Sequence, residues 1–286
     1  MGTTELRRHS LGEADLEGAL ALVAEAGWNQ IAADWRLFFD FGTVDGLSTP
    51  AGRLVATAAT LPYGARFGWI SMVLVSVEFR QHGLATRLMN HAIESLRGRG
   101  LVPILDATEA GREVYSRIGF QDCWELERLQ LPHSPGAIAA RAACDIAPLL
   151  DADWRDLVAF DTAAFGADRS PVLARLRRRM PGAAFVARRA GRICGYVLAR
   201  DGRTATQIGP LVAEDDGATK GLLAGALGAA GTGVYIDLAG HHAAIGEWLR
   251  AHGFTVQRRF TRMALDQGRT FDDGRRIVAA AGPELG

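Results

Sequence analysis

A large internal repeat constrains this sequence more than any other feature, because a chain that repeats one pattern at long range is built from copies of one structural unit. In the first half the apolar run Val102–Ala107 (VPILDA) precedes a helix-like stretch that closes with Gly119-Phe120. In the second half Val234–Ala239 (VYIDLA) precedes another that closes with Gly253-Phe254. The two aspartates, Asp106 and Asp237, lie 131 residues apart and the two glycines 134. Upstream, Arg53–Thr60 and Trp69–Val77 read as β-strands, and Ala184–Arg188, Arg192–Arg200 and Thr204–Val212 do the same in the second half. Each half thus opens with helical material, passes through strands, and ends with helix, strand, helix. Two prolines and a glycine in Leu131–Gly136 (LPHSPG) interrupt both helix and sheet. The expected organisation is a domain over 1–131, a linker over 132–140, a second domain over 141–267, and a loose, polar, Gly-rich tail over 268–286.

Composition narrows the function classes. With 286 residues there is room for two ordinary domains, and 48% hydrophobic against 22% charged residues supports packed cores. A formal net charge of zero gives no whole-surface attraction to nucleic acid or to an anionic membrane. Arg175, Arg178 and Arg179, opposite Leu173, Leu176 and Met180 on a helix-like stretch, read either as a nucleic-acid patch or as a solvated amphipathic face. Cys123, Cys144 and Cys194 are odd in number, far apart and without CxxC spacing, which argues against a disulfide framework or a zinc site. His241, His242 and His252 lack metal-ligand spacing, so no metal is expected. No apolar leader and no run of eighteen apolar residues is present, so a soluble cytoplasmic protein is expected.

The informative segment is Gly68–Leu96. An apolar strand runs into Arg80-Gln81-His82-Gly83-Leu84-Ala85 and then into a helix whose Leu84, Leu88, Ala92 and Leu96 recur every four positions. A strand, a glycine turn and a helix start aim unpaired backbone N–H groups at one point, where the helix dipole adds positive potential. This is a seat for a phosphate, with Gly83 allowing close approach and Arg80 adding a charged donor. After the helix come the strand Val102–Ala107 and then Tyr115-Ser116-Arg117-Ile118-Gly119-Phe120. The order strand, RxxGxA, helix, strand, helix with YxxxGF resembles the GNAT superfamily of acyl-CoA-dependent N-acetyltransferases.

That resemblance implies an α+β (mixed α/β) fold of two tandem GNAT-like lobes, each a mixed, mostly antiparallel sheet flanked by helices. It implies that the amides of Arg80, Gln81, His82, Gly83, Leu84 and Ala85 hold the diphosphate of acetyl-CoA. It places Val73, Leu74 and Val75 along the pantetheine arm, with Thr108 as a further pantetheine contact. Tyr115 matches the family's general acid to the departing thiolate. An alkyl amine is only about 0.1% neutral at pH 7, so a proton acceptor is needed. The strand Trp69–Val75 offers no carboxylate or imidazole; Ser71 can order a water, and Asp106 is the expected base, with Glu109 as an alternative. Both also read as ordinary solvated or helix-terminal charges. The resemblance sets Trp28, Asn29, Asp34 and Trp35 over the acceptor groove, where aromatic residues at helical spacing equally read as core.

The second half keeps the pattern and loses the chemistry. The counterpart of the phosphate loop is Ala213-Glu214-Asp215-Asp216-Gly217, whose carboxylates repel a diphosphate, and the counterpart of Tyr115 is Leu249. This half is expected to complete the substrate groove, brace the first lobe or mediate a homodimer. Asp161, Phe165, Gly166, Asp168 and Arg169 either face that groove or form a helix-terminating loop. The expected activity is acetyl-CoA-dependent transfer to the amine of a small molecule or peptide by direct attack in the first lobe, with no nucleic-acid or membrane partner. The alternative is a non-catalytic acyl-CoA-binding regulatory module.

Overall fold

The computed structural model describes residues 5–133, 138, 144–231, 233–266, 268 and 271–286. The chain gathers into two compact units that divide between Leu105 and Asp106. In the first unit the order is β1 (Arg7–Ser10), α1 (Leu16–Glu25), α2 (Ala32–Phe41), β2 (Thr43–Ser48), β3 (Leu54–Tyr63), β4 (Phe67–Val75), α3 (Leu84–Gly98) and the start of β5 (Val102–Thr108). Strands β1 to β4 form an antiparallel meander, and β5 runs parallel to β4. The four-residue periodicity of α3 is explained by burial: Leu84, Leu88, Ala92 and Leu96 all face the core. The strand expected over Trp69–Val77 ends at Val75, and Val77–Phe79 instead makes a single 3-10 turn.

The second unit continues with α4 (Glu109–Ser116), β6 (Phe120–Leu131), β7 (Asp145–Pro148), α5 (Trp154–Phe165), α6 (Ser170–Leu176), β8 (Phe185–Arg189), β9 (Arg192–Arg200) and β10 (Thr206–Ala213). It closes with α7 (Asp216–Ala229), β11 (Val234–Ala239), α8 (Ala243–Ala251), β12 (Thr255–Leu265) and β13 (Ile277–Ala279). In chain order, β7 to β12 with α5 to α8 repeat β1 to β6 with α1 to α4, element for element. Within α7, Gly225 leaves room for the Phe185 ring, whose atoms lie 3.2–3.3 Å from where a Cβ would stand.

The division after Leu105 differs from the break expected at 132–140, most of which (134–137 and 139–140) lies outside the described residues. The physical reason is an exchange of final strands. β11 is bordered by β6, the last strand of the first repeat, and β6 pairs on its other side with β12, the last strand of the second. Each aspartate that marks the repeat is bonded to an arginine from the other repeat. Arg128 on β6 donates from Nε and Nη2 to Asp237 at 2.7 and 2.8 Å, and Gln207 adds a third bond at 3.0 Å. Arg262 on β12 donates to both oxygens of Asp106 at 2.8 and 2.9 Å. The guanidiniums also stack, Arg128 over Phe260 and Arg262 over Trp124. Sequence spacing correctly marks the repeat but not this interleaving.

Residues 269 and 270 of the expected tail lie outside the described residues, and from Phe271 on the tail is not a loose extension. Ile277 to Ala281 and Leu285 are buried, and β13 pairs antiparallel with both β10 and β11. Glu284 forms an enclosed ion pair with Arg200, and Arg169 donates to the Gly286 carbonyl at 2.8 Å. The arginine face is corrected too. α6 ends at Leu176, and Arg179 reaches Asp201 at 2.7 Å with its side chain nearly enclosed, so a helical patch does not form. Asp161, Phe165 and Arg169 are buried and tied together, with Gly166 ending α5 at φ +86°; this is the helix-terminating arrangement. The thiols of Cys144 and Cys194, distant in sequence, come within hydrogen-bonding reach while both stay free.

Removing one partner of an enclosed ion pair strands the other charge, which costs about 3–5 kcal/mol. Arg128→Ala is therefore expected to lower unfolding stability by about that amount in urea denaturation, and replacing both Arg128 and Asp237 by apolar residues of similar volume should recover most of it.

Candidate functional site

The loop between β4 and α3 is held in place before it is offered to anything. Glu25, at the end of α1, accepts from the Val77 amide and, at 3.2 Å, from the Ser76 hydroxyl. Arg53 donates to Ser76 at 3.2 Å and to Glu78 at 2.7 Å, and lies over the Phe79 ring. Neither Glu25 nor Arg53 carried a sequence signal, since each acts through a contact between segments far apart in the chain. Beyond this brace the backbone opens. Gln81 and Gly83 have φ of +64° and +72°, and Gly83 stands as the N-cap of α3 without a side-chain cap. The first main-chain bond into the helix runs from the Arg87 amide to the Gly83 carbonyl at 3.0 Å. Among the described residues, the amides of Gln81 to Thr86 have no carbonyl acceptor.

These donors, with the exposed Arg80 whose Nε is turned back to the Val75 carbonyl at 3.2 Å, fit a polyanion such as a diphosphate. Nothing lies within 4 Å of where a Gly83 Cβ would stand, so the approach is clear. His82 folds onto the Arg80 carbonyl at 2.7 Å, while Leu84 is buried and Ala85 half-buried.

Upstream, β4 pairs with β5 only over Phe67–Trp69. From Ile70 to Val75 it has β3 on one side and, among the described residues, no strand on the other. The strand kinks here: Met72 has φ +52°, the register with β3 jumps, and Thr57 donates its hydroxyl to the Met72 carbonyl at 2.8 Å. Val73, Leu74 and Val75 follow the kink, which leaves their outer main-chain edge available to an extended ligand. The buried Ser71 hydroxyl beside the kink has, among the described residues, no partner.

Tyr115, Thr108, Asp106 and Glu109 fall in the second unit. Tyr115, on α4, packs against Phe120 with ring centroids 6.1 Å apart; burial pushes its phenol up to about 12, and among the described residues its hydroxyl makes no hydrogen bond. Thr108 caps α4, accepting from the Gly111 amide at 3.3 Å, which leaves its hydroxyl proton to donate. Asp106 is corrected: its side chain is enclosed, with both oxygens held by Arg262, so it is a structural carboxylate and not a base. Burial pushes its carboxyl up while Arg262 pulls it down. Glu109 is an exposed first-turn charge of α4.

Of the expected acceptor contacts, Trp35 is fully buried, and Asp34 is spent on capping α2 through the Ile31 amide at 2.8 Å. Neither faces a groove. Asn29 is buried and Trp28 half-buried, both engaged in internal contacts. The aromatic spacing reads the same in core and in pocket, which is why sequence did not separate them.

The second repeat has the same two features and fills both. Asp215 accepts from the Ala218 amide at 2.9 Å as the N-cap of α7, and Arg189 pairs with Asp215 and Glu214. The Ala218 amide, then Arg189, holds the Asp215 carboxyl below the usual carboxylate range. The helix start thus carries its own anion. β10 and β11 pair in parallel over 206–208 and 234–236 and then part, as β4 and β5 do, but β13 occupies the gap. The chain's own tail lies where the first repeat leaves a strand edge open.

A family model described as Acetyltransferase (GNAT) family matches residues 9–120, and one described as Acetyltransferase (GNAT) domain matches 157–277. The chain is 26% identical over 246 residues to the uncharacterised N-acetyltransferase YitH of Bacillus subtilis, covering 85% of this chain and 86% of that protein. Among solved structures, a candidate acetyltransferase of Pyrococcus horikoshii aligns with TM-score 0.80 at 18% identity, over 100% of this chain and 98% of that one. A GCN5-related N-acetyltransferase of Sphaerobacter thermophilus gives 0.68 at 16%, covering 93% and 98%. A tandem GNAT protein from the clavulanic acid biosynthesis pathway gives 0.66 at 17%, covering 91% and 98%. These solved structures share the fold.

The brace is directly testable. Hydrogen bonds to a charged acceptor contribute about 1.5–3 kcal/mol, so Glu25→Ala is expected to speed hydrogen exchange at the Val77 amide roughly ten- to a hundredfold while leaving exchange in β9 and β10 unchanged.

Proposed function

Because the chain belongs to the GNAT superfamily as a tandem N-acetyltransferase, we propose that its first repeat moves an acetyl group from acetyl-CoA to the amine of a small molecule or peptide by direct attack. The observation that carries this reading is the contrast between the two helix starts: open amides at Gln81 to Thr86, and a helix start closed by Asp215 in the second repeat. Acetyl-CoA supplies an activated thioester whose sulfur leaves as a thiolate.

The residues divide the work. The amides from Gln81 onward and the Arg80 guanidinium hold the diphosphate, with Gly83 keeping the approach clear. The main-chain edge of Val73, Leu74 and Val75 pairs with the pantetheine arm, and a donor there also polarises the thioester carbonyl. Thr108 offers its hydroxyl proton to pantetheine. Tyr115 presents a hydroxyl proton to the leaving sulfur. A phenol is a weaker acid than a thiol and burial pushes Tyr115 up to about 12, so Tyr115 acts on the thiolate chiefly by donating a hydrogen bond. Free thiols at Cys123, Cys144 and Cys194 suit a reducing cytoplasm, which is the compartment this reading assumes.

Calorimetry with acetyl-CoA is expected to find one site per chain and a loss of at least a hundredfold in affinity on Gly83→Asp, whose carboxylate meets the diphosphate. Two sites, or binding indifferent to that change, would overturn the assignment. Tyr115→Phe is expected to lower kcat roughly 10²–10³-fold, the range for removal of one donor at a developing charge, with the Kd for acetyl-CoA nearly unchanged.

A further inference from the structure

The chain has three thiols, and two of them meet. Cys144 and Cys194 stand fifty positions apart in sequence, yet both belong to the second unit and to one apolar cluster, Cys194 within it and Cys144 packed against it. The Cys194 thiol donates toward the Cys144 sulfur. Acetyl transfer as read above uses neither group. The third thiol, Cys123, is turned to the Gln121 carbonyl at 3.8 Å, and the charged groups acting on it are Arg262, Asp272 and Asp106. It has no thiol to pair with.

An irregularity in the sheet makes the meeting possible. β8 sets Ala187 opposite Gly195 and Arg188 opposite Ile193, so Cys194 is an extra residue on β9 with no counterpart on β8. A bulge of this kind re-aims its side chain relative to the pleat. Here the side chain enters the core, with 2% of the residue exposed, while its carbonyl accepts from the Glu214 amide at 2.9 Å. On the other side of β8, Asp145 stands opposite Arg188, which leaves Cys144 one residue ahead of the β7 ladder. Both cysteines therefore stand where regular pairing is interrupted, one on each side of β8. β7 itself is a four-residue strand at the edge of the sheet.

The two sulfurs differ in access. Cys144 is half-buried and Cys194 buried, so an external reagent meets Cys144 first. Burial pushes the Cys194 thiol up to about 11; it also raises Cys144, where the Cys194 hydrogen bond and Arg189 oppose the shift and Asp215 and Asp145 support it. Arg189 acts on both sulfurs while it pairs with Glu214 and Asp215. We propose that Cys144 and Cys194 form a reversible dithiol–disulfide site whose oxidant is a low-molecular-weight disulfide of the glutathione type. In the first step the Cys144 thiolate bonds to one sulfur of the oxidant, and the other half of the oxidant leaves as a thiolate. In the second, the Cys194 thiolate bonds to the Cys144 sulfur and expels the remaining half. The two cysteine protons end on the two expelled thiolates, so two protein thiols are oxidised and one disulfide molecule is reduced to two thiols. The new bond ties the edge strand β7 to β9 across β8.

The test incubates the full chain in glutathione buffers of increasing oxidised fraction, quenches it in acid, and counts and maps its thiols by mass spectrometry. Free thiols are expected to fall from three to one, with Cys123 the one left. The intact mass should drop by two hydrogens, a peptide pair joined through Cys144 and Cys194 should appear, and excess reduced glutathione should reverse both. Hydrogen exchange at the β7 amides should slow about tenfold in the oxidised form, because the bond suppresses local opening of an edge strand. Since the thiolate is the attacking form, the rate should rise about tenfold per pH unit above neutrality. Cys194→Ala is expected to stop with one glutathione held on Cys144, and Cys144→Ala to leave Cys194 free. A wild type that keeps all three thiols, halts at the mixed disulfide or loses Cys123 first would overturn the pairing, and its peptide map decides this even where a variant folds poorly. Unchanged exchange in a cross-linked chain would overturn the tie between β7 and β9.

Discussion

Two reciprocal ion pairs, Asp237 with Arg128 and Asp106 with Arg262, fix how the last strands of the repeats are interleaved. Each joins an aspartate from one repeat to an arginine from the other, so neither repeat can satisfy its buried carboxylate alone. Coulomb attraction inside a protein repays desolvation only with good geometry and further bonds. Here the geometry is bidentate, Gln207 adds a bond to Asp237, and aromatic rings cover the guanidiniums. The pairs specify register as well as contact: a β-strand slipped by one residue would turn Arg128 or Arg262 to the opposite face.

The same exchange explains why Asp106 is a structural carboxylate. It lies near the end of β5 and, by sequence position alone, reads as a base. Its partner is 156 residues away in sequence, and only pairing of distant strands brings Arg262 onto it.

The two repeats show how one architecture can leave its main-chain groups open or fill them. Both split a parallel strand pair after three residues and both start a helix at the split. In the first, among the described residues, the helix start has spare amides and the strand has a bare edge. In the second, Asp215 supplies the helix with an internal anion, and β13 completes the sheet. The occupying groups belong to the chain itself, so the second repeat gains stability where the first, among the described residues, leaves main-chain groups unpaired.

The sequence by itself determined the repeat, the strands that became β3, β4, β5, β8, β9, β10 and β11, the glycine turn that opens α3 and the carboxylates that open α7. These are local facts: alternation, four-residue periodicity, a glycine in a turn, a carboxylate next to a helix start. What only the tertiary structure decided was the fate of groups whose meaning depends on distant partners. The polar, Gly-rich tail became a buried strand because β10 and β11 offered it a gap with unpaired main-chain groups. Trp35 and Asp34 went inward, Asp106 met Arg262, and Glu25 became the brace of the Val77 turn. Periodicity records which face of an element is buried, but it carries no record of which other element buries it.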